Sequence, residues 1–359
     1  MDTIQKDLSP LVKQLAPEAE NHDEQIQISF MMASDGIRQR TILNQVTSSI
    51  TGQVKVEDVM YEKIRGDASC FLPTEAPIFR RLIFQRTESL VQSEALLIKE
   101  QGSPEKVAKV SEQLKVDHGY LASFYHMGII SGFTLVSEHL ETATSARNTV
   151  NAVVVGLGAG LLPMFLHASM PFLDIDVVEL DPVILGLAKE HFDFTEDEHL
   201  KVHIADGVQF LKEVKSSPTE AASAINGLKT KRIDILIIDV DSFDTSSGMI
   251  CPAADFLEES FLQTAKDVLS EQGLFVVNLV TQSPAINDTV ISKMQAVFGQ
   301  IFGLQLEEDG NEVLFALPST VAVNEDCLSQ ATVQKFLEFK YPEIGHIIVD
   351  TVMKIRPLS

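Results

Sequence analysis

A glycine run that follows an apolar strand and opens a helix restricts the fold of this chain more than any other feature. The segment TVNAVVV predicts a buried strand that ends at GLGAG, residues 156–160, and LLPMFLHAS predicts the next helix, with Pro163 in its first turn. Small residues let a ligand approach the backbone, and the first N–H groups of a helix attract negative groups. Tight turns use glycine anyway, so this run alone does not identify a site.

The pattern after residue 148 alternates between strands and helices. Further strands are predicted at DIDVVEL, LKVHIAD, IDILIIDVD and GLFVVNLV, and LQLEEDGNEVLFAL predicts a hairpin that turns at Asp309 and Gly310. Alternating elements form a parallel sheet, to which a terminal hairpin adds an antiparallel edge. The predicted fold class is therefore α/β and Rossmann-like, with a sheet of seven mostly parallel strands and an antiparallel terminal hairpin.

The chain divides into three predicted regions. Residues 1–115 form a small β-rich region, because VKVEDVMYEKI, FRRLIFQ and SLVQSEALLI are short β-rich runs between Gly, Pro and polar breaks. Residues 116–320 form the Rossmann-like domain, which SFYHMGIISGFTLVSEHL, residues 123–140, enters as a helix. Residues 321–359 form a helical tail that includes ATVQKFLEF.

Charge and cysteine content limit the partners and the compartment. The net charge of −23 repels phosphate backbones and anionic membranes, so we expect no nucleic acid and no membrane partner. Such acidity favours a cationic partner, or serves solubility alone. Cys70, Cys251 and Cys327 lie far apart and form no CxxC pair, which excludes a disulfide framework and predicts a reducing, cytoplasmic location.

Acidic residues follow the second and third predicted strands of the sheet. Glu179 ends the second strand, 23 residues after Gly156, where a carboxylate can accept hydrogen bonds from both hydroxyls of a ribose. Asp206 ends the third strand, where it can accept from an adenine amino group, and Gly207 leaves room for the ring. The predicted cofactor-binding residues are Gly156, Gly158, Gly160, Glu179, Leu180, Asp206, Gly207 and Asp239.

Three carboxylates crowd the loop after the fourth strand, in IDVDSFD. Asp239, Asp241 and Asp244 are the predicted catalytic residues, because clustered carboxylates attract a cation and can bind an amine or accept its proton. An ordinary acidic loop is the alternative, most of all for Asp244. No His or Glu spacing supports a metal site, so no metal is predicted. Asn278, a polar residue in an apolar strand, is predicted to line the substrate site with Asp241.

The glycine turn, the predicted strands that follow it and the element GMICPAADF after DVDS together resemble the C-terminal domain of the methyltransferase-like protein 13 family. The members of that family are the lysine and N-terminal methyltransferases of elongation factor 1-alpha. The resemblance runs from Arg80 to Leu317. It implies the class I methyltransferase fold, S-adenosylmethionine as cofactor, and methylation of the α-amine of elongation factor 1-alpha. Lysine methylation belongs to a separate domain of that family, and no second glycine-turn strand set precedes residue 148. By analogy with this architecture, Tyr120 is expected to cover the substrate.

The same half of the chain also resembles spermidine synthase, including the upstream hairpins and DHGYLASFYH. Spermidine synthases place an acidic residue in the glycine turn, where it binds the amine end of decarboxylated S-adenosylmethionine. Ala159 occupies that position here, which suits a cofactor that keeps its carboxylate. Asp241 and Asp244 resemble the polyamine-handling pair, so an aminopropyltransferase is an alternative, and a catalytically silent scaffold for a basic partner is another. The spermidine synthase resemblance also implies a homodimer.

Overall fold

A computed structural model describes residues 36–61, 77–85, 90–99, 114–216, 232–242, 248–306, 310–318 and 339–358 of the chain. The N-terminal part is a five-stranded antiparallel sheet in which neighbours in sequence are neighbours in space. Its strands are β1 (Ile37–Ser48), β2 (Gly52–Tyr61), β3 (Ile78–Phe84), β4 (Leu90–Lys99) and β5 (Leu114–Val116). The β-rich N-terminal region predicted from the sequence is therefore confirmed.

The second sheet has nine strands, in the order β14-β12-β13-β11-β9-β6-β7-β8, with β10 paired to β11. Strands β8, β7, β6, β9 and β11 run parallel, and β13, β12 and β14 form the antiparallel edge. The bounds are β6 (Val150–Val155), β7 (Leu173–Glu179), β8 (Leu200–Ile204), β9 (Ile233–Ile238), β10 (Met249–Cys251), β11 (Leu269–Thr281), β12 (Gln300–Gln305), β13 (Glu312–Leu317) and β14 (Arg356–Pro357).

The α/β, mostly parallel sheet and its terminal hairpin confirm the predicted fold class, but the count of seven strands is too low. The two additional strands, β10 and β14, have three and two residues. Their pairing depends on distant segments, since Met249 pairs with Thr281 and Arg356 pairs with Gly303. Strands this short carry no alternation of apolar and polar residues, so a sequence pattern cannot reveal them.

Eight α-helices lie in the described part of the chain. They are α1 (Phe124–Ser131), α2 (Ser137–Ser145), α3 (Leu161–Ser169), α4 (Pro182–His191), α5 (Gly207–Ser216), α6 (Glu259–Val268), α7 (Pro284–Val297) and α8 (Pro342–Val352). None of the described helices combines the length and the apolar character that a membrane crossing requires. The predicted tail helix ATVQKFLEF lies, except for Phe339, outside the described residues.

The predicted helix over residues 123–140 is interrupted, because a 3₁₀ turn at Gly132–Val136 separates α1 from α2. Gly132 lies against the ring of Phe315, and a Cβ atom there would be 2.0 Å from a ring carbon. The change of pitch thus occurs where the helical segment crosses β13 most closely.

Apolar side chains cover both faces of the nine-stranded sheet and also join it to the N-terminal sheet. In β6, Ala152 and Val154 face one core, whereas Val153 and Val155 face the other. A third core joins β2, β3 and β4 to α3 and α4. Its buried members include Leu82, Leu161 and Phe192. The N-terminal sheet is therefore held next to the glycine turn that opens α3.

Candidate active site

A cavity of about 230 Å³ opens at the carboxyl ends of the parallel strands. Its walls come from the glycine turn after β6, the ends of β7 and β8, and the loop after β9. Helix α1, the β1–β2 turn and β4 close it from the side of the N-terminal sheet. The strand order reverses beside β6, with β7 on one side and β9 on the other, and ligands of open α/β sheets bind at such a switch point.

The glycine turn requires glycine at its first position. Gly156 has φ of +103°, and a Cβ atom there would lie 2.0 Å from the backbone oxygen of Asp239. The turn is fixed on both sides, since the Gly156 N–H donates to Val178 O at 2.8 Å and the Asp239 N–H donates to Val155 O at 2.9 Å. The backbone after β6 therefore leaves room for a ligand at Gly156 and Gly158, both of which line the cavity.

Gly160 has a different role from the other two glycines of the turn. It precedes α3 with φ of +78° and packs against Phe194, where a Cβ atom would lie 2.4 Å from the ring. It does not belong to the cavity wall. The structure therefore places this predicted cofactor residue behind the turn, where it shapes the start of the helix.

The carboxylate of Glu179 faces the glycine turn across adjacent strand ends. Its Oε2 accepts the N–H of Leu157 at 3.0 Å, and its Oε1 accepts the N–H of Asp181 at 2.8 Å. Burial raises the pKa of Glu179, although both backbone N–H groups act in the opposite direction. Each carboxylate oxygen keeps a further acceptor site. The side chain can therefore bind hydroxyl groups of a ligand in the cavity.

Leu180, Asp206 and Gly207 form one rim of the cavity. Leu180 is 42% exposed and offers an apolar surface, whereas Asp206 accepts the N–H of Gln209 at 2.8 Å and so caps α5. A Cβ atom on Gly207 would lie 2.5 Å from the side chain of Val155. This rim combines a flat apolar surface with a carboxylate, which suits a base that carries an amino group.

Asp239 is the centre of a polar cluster at the other end of the cavity. Asn278 Nδ2 donates to its Oδ1 at 3.0 Å, and the Tyr125 hydroxyl donates to its Oδ2 at 3.3 Å. His126 Nε2 lies 3.8 Å from the same Oδ2. Asp241 lines the cavity beside this cluster. This end of the cavity therefore presents an oriented carboxylate to a cationic or amine group.

Asn278 lies behind Asp239 and not on the cavity wall. It is 4% exposed, and its Oδ1 accepts from Asn311 Nδ2 at 2.8 Å, so that two amides in series hold the carboxylate. The structure therefore places Asn278, which was predicted to line the substrate site, behind the cavity wall and in contact with Asp239. A buried amide satisfies its own hydrogen bonds first, which turns it towards its neighbours.

Tyr120 is also placed differently from the expectation. Its ring packs edge-on against Tyr341, with centroids 5.5 Å apart, and it does not line the cavity. Asp117 holds this arrangement, because its Oδ2 accepts the Tyr341 hydroxyl at 2.7 Å. Tyr125, on the first turn of α1, is the tyrosine that reaches the cavity. Asp244 lies outside the described residues.

The N-terminal sheet contributes contacts to the cavity edge that no sequence motif predicts. Ser93 Oγ, on β4, accepts the N–H of Ala159 at 3.1 Å inside the glycine turn. Thr51, in the β1–β2 turn, donates its N–H and its hydroxyl to Asp181 Oδ2, at 3.2 and 2.6 Å. Both contacts span more than 60 residues of sequence. They tie the two sheets together at the edge of the cavity.

Comparison with known proteins gives one family and several relatives. Residues 129–308 match the spermine/spermidine synthase domain family. The human eEF1A lysine and N-terminal methyltransferase is 33% identical over 331 residues, which are 88% of this chain and 44% of that protein. The polyamine aminopropyltransferase of Vibrio vulnificus is 26% identical over 179 residues, which are 50% of this chain and 53% of that protein. The chain thus spans less than half the length of the methyltransferase relative.

A solved structure supports the same relationship. The crystal structure of human methyltransferase-like protein 13 in complex with SAH is 30% identical in sequence to the matched part. The match covers 66% of this chain and 96% of that chain, with a TM-score of 0.50. The likeness therefore extends over two thirds of this chain and almost the whole of that solved chain.

Proposed function

Because this chain belongs to the spermine/spermidine synthase domain family, we propose that it transfers a methyl group from S-adenosylmethionine to a protein amine. The methyltransferase relatives and the solved structure in complex with SAH support methyl transfer over aminopropyl transfer. Their names also direct the proposal to elongation factor 1-alpha as the acceptor. A cytoplasmic location belongs to the same proposal, with Cys251 buried as a free thiol.

The cavity residues fit the parts of S-adenosylmethionine. When bound, this cofactor supplies an electrophilic methyl group on a sulfonium. Glu179 accepts hydrogen bonds from the ribose hydroxyls, and the backbone of the glycine turn approaches the methionine part. Leu180 and Asp206 receive the adenine ring and its amino group. Asp239, at the other end of the cavity, would then face the acceptor amine.

The chain's own contribution to the reaction is mainly positioning. Asp239, held by Asn278 and Tyr125, accepts a hydrogen bond from the acceptor amine and directs its lone pair. Asp241 adds negative charge beside it, which attracts the amine in its ammonium form. Closure by α1 and the N-terminal sheet excludes water from the reacting groups.

Ala159 argues against aminopropyl transfer. It is 1% exposed and packs in the core shared with β2 and β3. No carboxylate stands at this point of the turn to pair with the amine end of decarboxylated S-adenosylmethionine. Calorimetry with the two cofactors tests this point, and tighter binding of the decarboxylated form would favour the aminopropyltransferase.

The observation that carries the proposal is the Glu179 carboxylate facing the glycine turn. We expect Glu179→Ala to abolish heat of binding for S-adenosylmethionine in titration calorimetry, because the ribose loses its acceptor. Asp176→Ala is the matched control, since Asp176 lies on the same strand but pairs with His203 away from the cavity. Equal affinity of Glu179→Ala and wild type would remove the cofactor assignment.

The acceptor is tested with labelled methyl donor and elongation factor 1-alpha. We expect label on the N-terminal peptide of a protein with a free α-amine, and none when that amine is acetylated beforehand. Asp239→Asn should lower the transfer by a larger factor than it lowers cofactor affinity, because the contacts of Asp239 lie at the amine end of the cavity. Label that persists on the acetylated protein would exclude the α-amine as the acceptor.

Pairing of two copies through the N-terminal strands stays a prediction.

A further inference from the structure

His126 is a buried histidine with an unsatisfied ring nitrogen at the amine end of the cavity. Its side chain is 6% exposed and lines the cavity beside Asp239. Its Nε2 lies 3.8 Å from Asp239 Oδ2, while its Nδ1 has no hydrogen-bond partner among the described residues. A buried polar atom without a partner is costly, and this one belongs to a side chain in the cavity wall.

The proposed reaction needs a proton acceptor at this place. An α-amine has a pKa of about 7.7–8.0, so at neutral pH most of it is ammonium, which has no lone pair for attack. A carboxylate, with an ordinary pKa of about 3.9, is a weaker base than the amine by roughly 10,000-fold, whereas an imidazole, at about 6.5, is weaker by only roughly 20-fold. The imidazole is therefore the better matched base.

We propose that His126 takes the proton from the acceptor amine, an inference that rests on the proposed function. The proton passes from the α-ammonium group to an imidazole nitrogen, which leaves the amine with a lone pair. That pair forms the new N–C bond as the C–S bond breaks, and the electrons of the broken bond stay on sulfur. The products are a methylated ammonium group, a neutral thioether and an imidazolium, which returns its proton to solvent.

The surroundings of His126 suit this cycle. Asp239 stays hydrogen-bonded to Asn278 and Tyr125, and its negative charge lies next to the imidazolium. The centroids of the Tyr125 and His126 rings are 4.2 Å apart, so the tyrosine ring packs against the imidazole and restricts its rotation. No Lys or Arg contributes to the described cavity wall. The other titratable side chains on that wall are Tyr125, Glu179, Asp181, Asp206, Asp239, Asp241 and Asp255.

The test is the pH dependence of a single turnover with His126→Gln. The acceptor is elongation factor 1-alpha with a free α-amine, at saturating labelled S-adenosylmethionine. We expect transfer by the variant to be about tenfold slower than wild type near pH 7, where only about a tenth of the acceptor amine is neutral in solution (pKa about 7.7–8.0). The defect should nearly vanish near pH 9.5, since almost all of the amine is then neutral. His118→Gln is the control, because His118 precedes the same helix but does not line the cavity.

The outcomes separate this role from packing and from the proposed function. An equal loss at both pH values, or no loss, overturns the role of His126. Wild-type protein that transfers no label at any pH overturns the proposed function, and this proposal with it. If His126→Gln melts at a lower temperature than His118→Gln, the smaller variant His126→Asn replaces it, and the same recovery at high pH is required.

Discussion

Two features of Glu179 shift its pKa in opposite directions: the side chain is buried, and its carboxylate accepts backbone hydrogen bonds. Burial raises its pKa, although the N–H groups of Asp181 and Leu157 lower it. The ribose hydroxyls that we assign to it donate best to the ionised form, so protonation weakens cofactor binding. The raised pKa means that this weakening begins at a higher pH than for an exposed glutamate.

We therefore expect the Kd for S-adenosylmethionine to rise as the pH falls from about 8 to about 5, the range above the ordinary carboxylate pKa of about 4.3. Titration calorimetry across this range measures it. Glu179→Gln cannot ionise, and its weaker affinity should change less over the same range. A wild-type Kd that is as flat as that of Glu179→Gln would contradict the assignment.

The amide pair behind Asp239 predicts a loss of rate without a loss of cofactor. Asn311→Ala leaves Asn278 Oδ1 without its donor, so the amide that holds Asp239 is free to turn. We expect kcat to fall about tenfold, the size of one lost buried hydrogen bond, while the Kd for S-adenosylmethionine stays the same.

Steady-state rates and calorimetry on the same preparations check the effect of Asn311→Ala. Asn151→Ala is a suitable control, because its amide bonds to the Arg232 carbonyl at the opposite end of the sheet. If both variants lower kcat alike, the effect is a general loss of stability and not one of orientation.

The turn between β6 and α3 requires glycine at position 156, whereas Gly186 in α4 can be replaced. Gly156→Ala meets the Asp239 backbone oxygen at 2.0 Å at a φ of +103°, so we expect it to destabilise the fold by about 3 kcal/mol and to abolish cofactor binding. Gly186 has nothing within 4 Å of an added Cβ, so Gly186→Ala should stabilise α4 by about 0.5–1 kcal/mol. Denaturant unfolding measures both. Effects of the same sign would contradict this account of the turn.

The alternation of strands and helices could be predicted because β6 and β9 are apolar except for one polar residue each, and β7 alternates apolar and acidic residues over its first half. The 3₁₀ break after α1 was not readable, because it depends on the ring of Phe315 from a strand almost 200 residues later. The same limit applies to Tyr120 and Tyr125. Which tyrosine reaches the cavity depends on where α1 begins, and element boundaries are the least certain part of a pattern.

The sequence leads more directly to the residues of the proposed cofactor end than to those of the proposed amine end. Glu179 follows from its spacing after the glycine turn and from its strand end. Asn311, Ser93 and Thr51 follow no motif, because each joins the site through a hydrogen bond with a segment that is distant in sequence. His126 had a weak signal, a histidine on an apolar helix, which is more often a structural residue than a functional one.

The two sheets share one hydrophobic core, so the change of pattern at residues 115 and 116 does not by itself separate two folding units. Val54, Leu82 and Phe84 of the N-terminal sheet pack with Leu161 and Phe192 of the Rossmann-like part. The Thr51 and Ser93 hydrogen bonds cross the same boundary. Loss of the shared core should therefore weaken both sheets and, through the glycine turn, the cavity.

Leu82→Ala tests this coupling, because Leu82 is completely buried in the shared core. We expect it to lower the free energy of unfolding by about 2–5 kcal/mol. The N-terminal and central sheets should then unfold in a single transition at lower denaturant, as hydrogen exchange of the β2–β4 and β6–β9 amides can follow. Ile42→Ala, an aliphatic position on β1 that is 60% exposed, should change little. An N-terminal sheet that unfolds first, while β6–β9 keep their wild-type protection, would show that the sheets fold independently.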